Sequence, residues 1–127
     1  MKYRLIDHAY ILSTIIFTVY SQLIMRWQVS LAGPLPNLLY DKIISVGNLL
    51  LNPWVISGIV ATFFAGVSWM LAMTKFEISY AFPFVSLNYV LVLLLGFVFF
   101  QENMSATKLV GSALILFGII VIAKGEM

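Results

Sequence analysis

Two apolar stretches separated by only five residues fill positions 79–123, SYAFPFVSLNYVLVLLLGFVFF, QENMS, ATKLVGSALILFGIIVIA. A helix needs about 20 predominantly apolar residues to cross the hydrocarbon core of a bilayer. Each stretch has about that length, and the short link from Gln101 to Ser105 makes the two helices antiparallel neighbours. This part of the chain therefore predicts a pair of transmembrane helices.

The first half of the chain repeats this organisation. Apolar stretches of spanning length cover residues 5–27 and 54–74, and with 79–100 and 106–123 they make four. Tyr3, Trp27 and Trp54 stand at the ends of the first two, where aromatic side chains anchor a helix at the membrane surface. The sequence predicts an all-α membrane protein with four transmembrane helices, forming one domain over residues 1–127.

The composition points to lipid as the solvent. Of 127 residues, 62% are hydrophobic and only 9% charged, whereas a soluble domain carries about a quarter charged residues. There is no cysteine and a single histidine, His8. No Gly-rich phosphate loop and no metal-ligand cluster occur, so we expect no enzyme, no cofactor and no metal. The seven basic residues are scattered singly, which does not fit nucleic-acid binding.

The connection before Trp54 has a helical pattern of its own. Gly33 to Pro36 breaks any helix, and apolar residues then recur at Leu38, Leu39, Ile43, Val46, Leu49 and Leu50. Polar residues fall on the opposite side of such a helix. The spacing predicts a short amphipathic helix over residues 37–51, lying at the membrane surface between the first two spanning helices. An ordinary ordered loop is the alternative.

Positive charge is divided almost evenly between the two sides of the predicted bundle. The side of the termini has Lys2, Arg4, Lys75 and Lys124, and the other side has Arg26, Lys42 and Lys108. Four against three favours cytoplasmic termini. A chain this small needs a partner to transport anything. The nearly even charge balance is compatible with a homodimer, including an antiparallel one, and with a heterodimer that contains a related four-helix subunit.

Polar side chains gather on the first and third helices. On the first they recur in steps of three and four, at Tyr10, Thr14, Thr18, Ser21, Gln22 and Met25, and end at Arg26. On the third, Ser79, Pro83 and Ser86 share a face, and Tyr80, Asn88 and Tyr89 lie close around it. In lipid such side chains face a bundle interior or a wet cavity.

These residues predict a substrate-binding groove. Its expected lining is Thr14, Thr18, Gln22, Arg26, Trp69, Tyr80, Pro83, Ser86, Asn88 and Tyr89. The alternative is that the polar groups only hydrogen-bond one helix to another, as Ser, Thr and Asn often do in membranes. Trp69, among the small residues of the second helix, either points into the groove or is a packed aromatic.

The second and fourth helices carry small residues instead. Gly58, Thr62 and Gly66 are spaced by four, and Gly111 and Gly118 by seven. Small residues let helix backbones approach closely, so these are predicted packing positions, either within the chain or at a dimer interface. No carboxylate lies at mid-membrane, which argues against the simplest exchange of a proton for a cation.

Several short motifs carry a family resemblance. They are Phe82-Pro83-x-x-Ser86-Leu87-Asn88-Tyr89, then Glu102-x-x-Ser105 followed by Gly111 and Gly118, and Ser21-Gln22-Leu23. They resemble the drug/metabolite transporter superfamily, which includes the small multidrug resistance and EamA-like proteins, and are most similar to the flippase subunits for undecaprenyl-phosphate-aminoarabinose. Two features depart from the drug exporters: Thr18 stands where they carry a glutamate, and Phe82 and Val85 where they carry Tyr and Trp.

The resemblance implies a transporter subunit that flips a polyprenyl-phosphate-linked sugar across the bacterial inner membrane. The head group would pass through the groove while the polyprenyl tail stays in lipid, and Arg26 would offset the phosphate charge. Glu102 is interpreted either as a functional acid or as a structural residue before the fourth helix. Two other functions stay open: an exporter of small polar or cationic molecules, coupled through Asp7 or Glu77, and a non-transporting accessory subunit.

Overall fold

All regular structure in residues 3–125, the part of the chain that the computed structural model describes, is helical. The helices are α1 (His8–Ala32), α2 (Leu39–Leu50), α3 (Pro53–Met73), α4 (Ile78–Val85), α5 (Leu87–Phe100) and α6 (Ala106–Gly125). A single 3-10 turn, Leu5–Asp7, leads into α1. Lys2, which was counted among the basic residues on the side of the termini, lies outside the described residues.

Four helical segments are long and apolar enough to cross a membrane: Leu5–Ala32, Pro53–Met73, Ile78–Phe100 and Ala106–Gly125. They confirm the four predicted spanning helices. The first helix continues to Ala32, past the predicted end at Trp27, because nothing in residues 28–32 interrupts it. It ends where Gly33 adopts a φ of 80°, in the region that favours glycine, and Pro34 follows.

The third spanning segment is two helices and not the continuous one that was predicted. Pro83 lies inside α4 and has no N–H to donate to the preceding turn. The backbone then tightens: the Ser86 N–H donates to the Pro83 carbonyl at 3.0 Å, and the Tyr89 N–H donates to the Ser86 carbonyl at 3.1 Å. These bonds between residues three apart join α4 to α5 through Ser86.

The tightest helix pair is α1 with α3. At Gly58 an added Cβ would lie 3.5 Å from Met25 Cε and 3.6 Å from the Ser21 carbonyl oxygen, so α1 lies directly against this glycine. One turn further along α3, the Thr62 Oγ1 donates to the Gly58 carbonyl and lies 2.6 Å from the Ser21 Oγ. Because the Thr62 proton is used in that way, the Ser21 hydroxyl donates across the interface.

We expect Ser21 and Thr62 to be energetically coupled. In a double-mutant cycle of Ser21→Ala and Thr62→Val, the coupling should be about 0.6 kcal/mol and at most about 1.7 kcal/mol, the range for hydrogen bonds between helices in membranes. The measurement is the free energy of unfolding in mixed detergent micelles. Strict additivity of the two substitutions would contradict the bond.

The same helix pair is also tied together at the end next to α2. Asn52 caps α3 by accepting the Trp54 N–H at 2.8 Å, and Pro53 occupies the first helical position. The Asn52 Nδ2 also donates to the Oε1 of the buried Gln28 on α1 at 3.1 Å. This side-chain pair fixes where α3 begins relative to α1.

The predicted amphipathic helix is present as α2, although no residue in it is buried. Leu39, Tyr40 and Ile43 are 63–74% exposed, and they share one side of the helix. Asp41 and Asn48 lie on the opposite side. An apolar face of this kind beside spanning helices is suited to the boundary between lipid head groups and acyl chains.

Candidate functional site

A groove of about 310 Å³ lies between α1, α3 and α4. Its lining residues are Thr14, Thr18, Thr62, Ala65, Gly66, Trp69, Phe82 and Val85. We call it the threonine groove. Of the ten residues predicted to bind substrate, it brings together Thr14, Thr18 and Trp69. It also includes Thr62 and Gly66, which the sequence assigned to packing.

The three threonines give the groove its polarity. The Thr14 Oγ1 donates to the Tyr10 carbonyl at 2.9 Å, and the Thr62 Oγ1 donates to the Gly58 carbonyl at 3.0 Å, so both hydroxyls offer a ligand only lone pairs. Thr18 is different, since its hydroxyl bonds to nothing else within residues 3–125. It is therefore the one groove hydroxyl that can donate as well as accept.

The opposite wall is aromatic and open. The Trp69 and Phe82 rings meet edge to face, with their centroids 6.0 Å apart. At Gly66 an added Cβ would have no atom within 4 Å, so the floor of the groove is empty there. The sequence did not predict Phe82 or Val85 as lining residues: Phe82 was quoted for the family resemblance, and both were noted as departures from the drug exporters. Ala65 was not predicted to line the groove. The signal for it in the sequence is its position one turn before Trp69.

Tyr80 lies elsewhere, in an aromatic cluster at the start of α1. Its side chain is buried, and its hydroxyl is 2.8 Å from the His8 Nε2. The His8 Nδ1 is 3.0 Å from the Arg4 carbonyl, which can only accept, so that nitrogen carries the proton. In that tautomer the His8 Nε2 accepts a hydrogen bond from the Tyr80 hydroxyl. The rings of Phe76 and Phe84 pack around this pair.

The remaining predicted residues of the third segment do not line the groove either. Pro83 is half-buried at the bend, whereas Ser86 and Tyr89 are exposed. Asn88 is half-buried, and its Oδ1 is buried without a hydrogen-bond partner among the described residues. An unpaired buried acceptor costs about 1–3 kcal/mol. The Asn88 amide is thus a place where a donor would be stabilising.

Gln22 and Arg26 continue the polar stripe of α1 beyond the groove. Gln22 is exposed one turn after Thr18. Arg26 lies about 12 Å beyond Thr18 along the helix axis, at 1.5 Å per residue. Its Nε donates to the Glu102 Oε1 at 3.0 Å. Glu102 therefore pairs with a residue of α1, against which α5 packs, and it also precedes α6.

The glycines of α6 do not bring helices of this chain together. An added Cβ at Gly111 or Gly118 would meet no atom within 4 Å, unlike at Gly58. Their role at an interface between subunits stays a prediction. Residues 3–125 contain no group of three or more His, Asp or Glu side chains that would hold a metal ion.

The chain belongs to the EamA-like transporter family, which matches residues 9–124. Together with the four spanning helices, this defines a multi-pass membrane protein of the transporter class.

Among its curated relatives are subunits of one kind of flippase. The chain is 33% identical over 69 residues to the probable 4-amino-4-deoxy-L-arabinose-phosphoundecaprenol flippase subunit ArnE of Aeromonas salmonicida, covering 54% of this chain and 60% of the relative. It is 32% identical over 72 residues to the corresponding probable subunit ArnF of Proteus mirabilis, covering 55% and 54%. The chain thus spans less than two thirds of these relatives. No solved structure matches it significantly.

Proposed function

We propose that this chain is one subunit of a transporter that flips a polyprenyl-phosphate-linked sugar across the bacterial inner membrane. The observation that carries the proposal is the threonine groove, an uncharged site with three hydroxyls and an indole on an open side of the bundle. The substrate class comes from the relatives, whose names describe flippase subunits for an arabinose derivative on phosphoundecaprenol.

The groove suits a sugar head group chemically. Thr18 donates to and accepts from a sugar hydroxyl, Thr14 and Thr62 accept, and the C–H face of a sugar ring packs on Trp69. A volume of about 310 Å³ is at the lower end of small-molecule sites, which run from about 300 to 1,000 Å³. Because the groove is open sideways, the polyprenyl tail stays in lipid while the head group crosses. Without such partners, moving polar groups into hydrocarbon is prohibitive.

The transporter is proposed to contain two four-helix chains. The groove is closed only by α1, α3 and α4, so a second chain is needed to enclose a head group on its open side. The relatives include both an ArnE and an ArnF subunit, which supports a related partner and a heterodimer; a homodimer is the alternative. In this arrangement both termini lie in the cytoplasm, in line with the four-against-three charge count.

An exporter that exchanges protons for cations fits the site less well. None of the residues that line the groove is a carboxylate. Of the acids considered for that function, Asp7 lies in the first turn of the first spanning segment and Glu77 between the second and third. A cation in the groove would meet hydroxyl oxygens and aromatic faces but no acid to trade protons with.

The test is translocation of 4-amino-4-deoxy-L-arabinose-phosphoundecaprenol in proteoliposomes. The sugar amine is labelled from outside by an amine-reactive reagent that does not cross membranes, and the rate at which inner-leaflet lipid becomes labelled is measured. We expect the chain, with its related subunit, to accelerate labelling. Thr18→Val should lower the rate about two- to tenfold, since one hydrogen bond is lost, and Thr18→Ser should retain it.

A matched control is Thr107→Val, an exposed threonine on α6 that does not line the groove. Its rate should equal that of the wild type. Failure to accelerate labelling, alone or with the related subunit, would refute the flippase function. A Thr18→Val variant as fast as the wild type would instead remove the groove from the path.

A further inference from the structure

A second concave surface lies at the end of α1 that faces α2. It is an apolar slot of about 380 Å³ lined by Tyr20, Leu23, Ile24, Trp27, Phe99 and Phe100. We call it the aromatic slot. Phe100 lines the slot and also lies beneath Arg26, whose guanidinium carbon is 5.4 Å from the ring centroid. A cation therefore lies beside an apolar slot, over one of the rings that line it.

The Arg26 guanidinium uses only part of its hydrogen-bonding capacity on Glu102. Arg26 gives its Nε to Glu102 and its Nη1 to the Ser30 Oγ, which leaves the Nη2 unpartnered within the described part of the chain. The Arg26 and Glu102 side chains are 49% and 37% exposed. An ion pair this exposed is weak and can be exchanged for a better one. A phosphate competes for Arg26 because its oxygens match the guanidinium fork, and a phosphate monoester also carries more charge than a carboxylate.

A glycine determines where the competing carboxylate lies. At Gly96 on α5 an added Cβ would be 3.0 Å from the Glu102 Oε2, so the carboxylate rests in the space of the missing side chain. The backbone supports this position, because the Glu102 N–H donates to the Gly96 carbonyl at 3.3 Å. Glu102 is thus aimed at Arg26 by the turn that follows α5.

We propose that Arg26 and the aromatic slot bind the phosphate and the first isoprene units of a polyprenyl phosphate, and that Glu102 is a built-in competitor which the phosphate displaces. The identity of the lipid rests on the proposed function. The slot takes the apolar tail next to the charge, as a lipid of this kind presents them. With no lipid bound, Glu102 neutralises Arg26 beside the hydrocarbon, where an unpaired charge is costly.

The test is binding of undecaprenyl phosphate to the purified chain in nanodiscs made of zwitterionic lipid, followed with radiolabelled lipid. Undecaprenol, which has the same tail and no charge, and inorganic phosphate are the comparison ligands. We expect undecaprenyl phosphate to bind more tightly than either. Arg26→Gln should weaken its binding about tenfold and remove its advantage over undecaprenol, because a charge-assisted contact is lost.

Substitution of Glu102, the proposed competitor, should change lipid binding in the opposite direction. Glu102→Gln is expected to tighten binding about two- to fivefold, because the phosphate no longer displaces an anion. Gly96→Ala should tighten it as well, since its Cβ pushes the carboxylate away while leaving Arg26 in place. An ion pair with only a structural role predicts instead that breaking it from either side weakens binding.

Each outcome decides between the proposals. Three results would overturn the inference: weaker binding in Glu102→Gln, unchanged binding in Arg26→Gln, or binding of undecaprenol as tight as that of undecaprenyl phosphate. The inference would also fail if inorganic phosphate displaced the bound undecaprenyl phosphate, or if the lipid were lost when the nanodiscs are rich in anionic phosphatidylglycerol. If the variants shift binding as expected but the wild type moves no lipid-linked sugar, the proposed function fails and the site stands. If sugar is moved while Arg26→Gln binds normally, the site fails and the function stands.

Discussion

Replacing Gly66 by leucine should strongly slow translocation of the lipid-linked sugar and leave the fold intact. An added Cβ at Gly66 has no atom within 4 Å, so α3 accepts a side chain there without moving. That side chain projects into the threonine groove, between the threonines of α1 and the Trp69 indole. A head group that passes this side chain meets an overpacking cost of about 1–3 kcal/mol, which corresponds to a rate about 5- to 150-fold lower.

The labelling assay in proteoliposomes measures this effect, together with thermal unfolding in detergent. Gly66→Ala should have a smaller effect of the same sign. Gly47→Leu makes the same change at another open glycine, on α2 and away from the groove, and should transport normally. A Gly66→Leu protein that moves sugar at the wild-type rate would exclude the groove as the path.

Replacing Gly58 by leucine, two turns earlier on the same helix, should have the opposite profile and destabilise the protein. Here the Cβ would already touch Met25, Ile24 and the Ser21 carbonyl at 3.5–3.6 Å, so alanine fits and a branched side chain does not. Leucine forces α1 away from α3 and breaks the bond between Ser21 and Thr62. We expect a loss of about 2–4 kcal/mol in the free energy of unfolding.

The comparison of Gly58→Ala with Gly58→Leu is the critical measurement, carried out by denaturant titration in mixed micelles. Alanine should change the free energy of unfolding by well under half as much as leucine. Equal values for the two variants, or a Gly58→Leu protein as stable as the wild type, would show that α1 does not lie against this glycine.

The bilayer explains why the architecture could be predicted from the sequence. Its thickness dictates the length of each spanning helix, and its lack of hydrogen-bonding partners restricts the chain to helices. Helix starts were predictable where a local rule applies, as at Asn52 and Pro53. The end of α1 was predicted too early, at Trp27, because Gln28 was assigned to the connection, although its side chain is buried and bonds to Asn52.

The groove could be predicted only in part, for a geometric reason. Helical periodicity gives the direction of a side chain on its own helix but not the neighbour that it meets. Thr18 and Ser21 share a stripe of α1, yet one hydroxyl lines the groove and the other bonds to α3. Gly58 and Gly66 share a face of α3, yet one is packed and the other open. The pair of Arg26 and Glu102, 76 residues apart, has no local signal at all.

The uneven distribution of buried surface also has a consequence for synthesis of the chain. In an 18-residue apolar stretch of each spanning segment, 28% and 33% of the residues are buried in the two segments that leave the ribosome first, against 11% in each of the two that follow. The contacts between these two segments include the packing at Gly58 and the hydrogen bond between Asn52 and Gln28. None of these contacts involves a residue from the second half of the chain. We therefore expect α1 and α3 to associate with each other in the membrane while the second half of the chain is still being translated. The last helix then joins with most of its lipid-facing surface uncommitted and free to meet another chain.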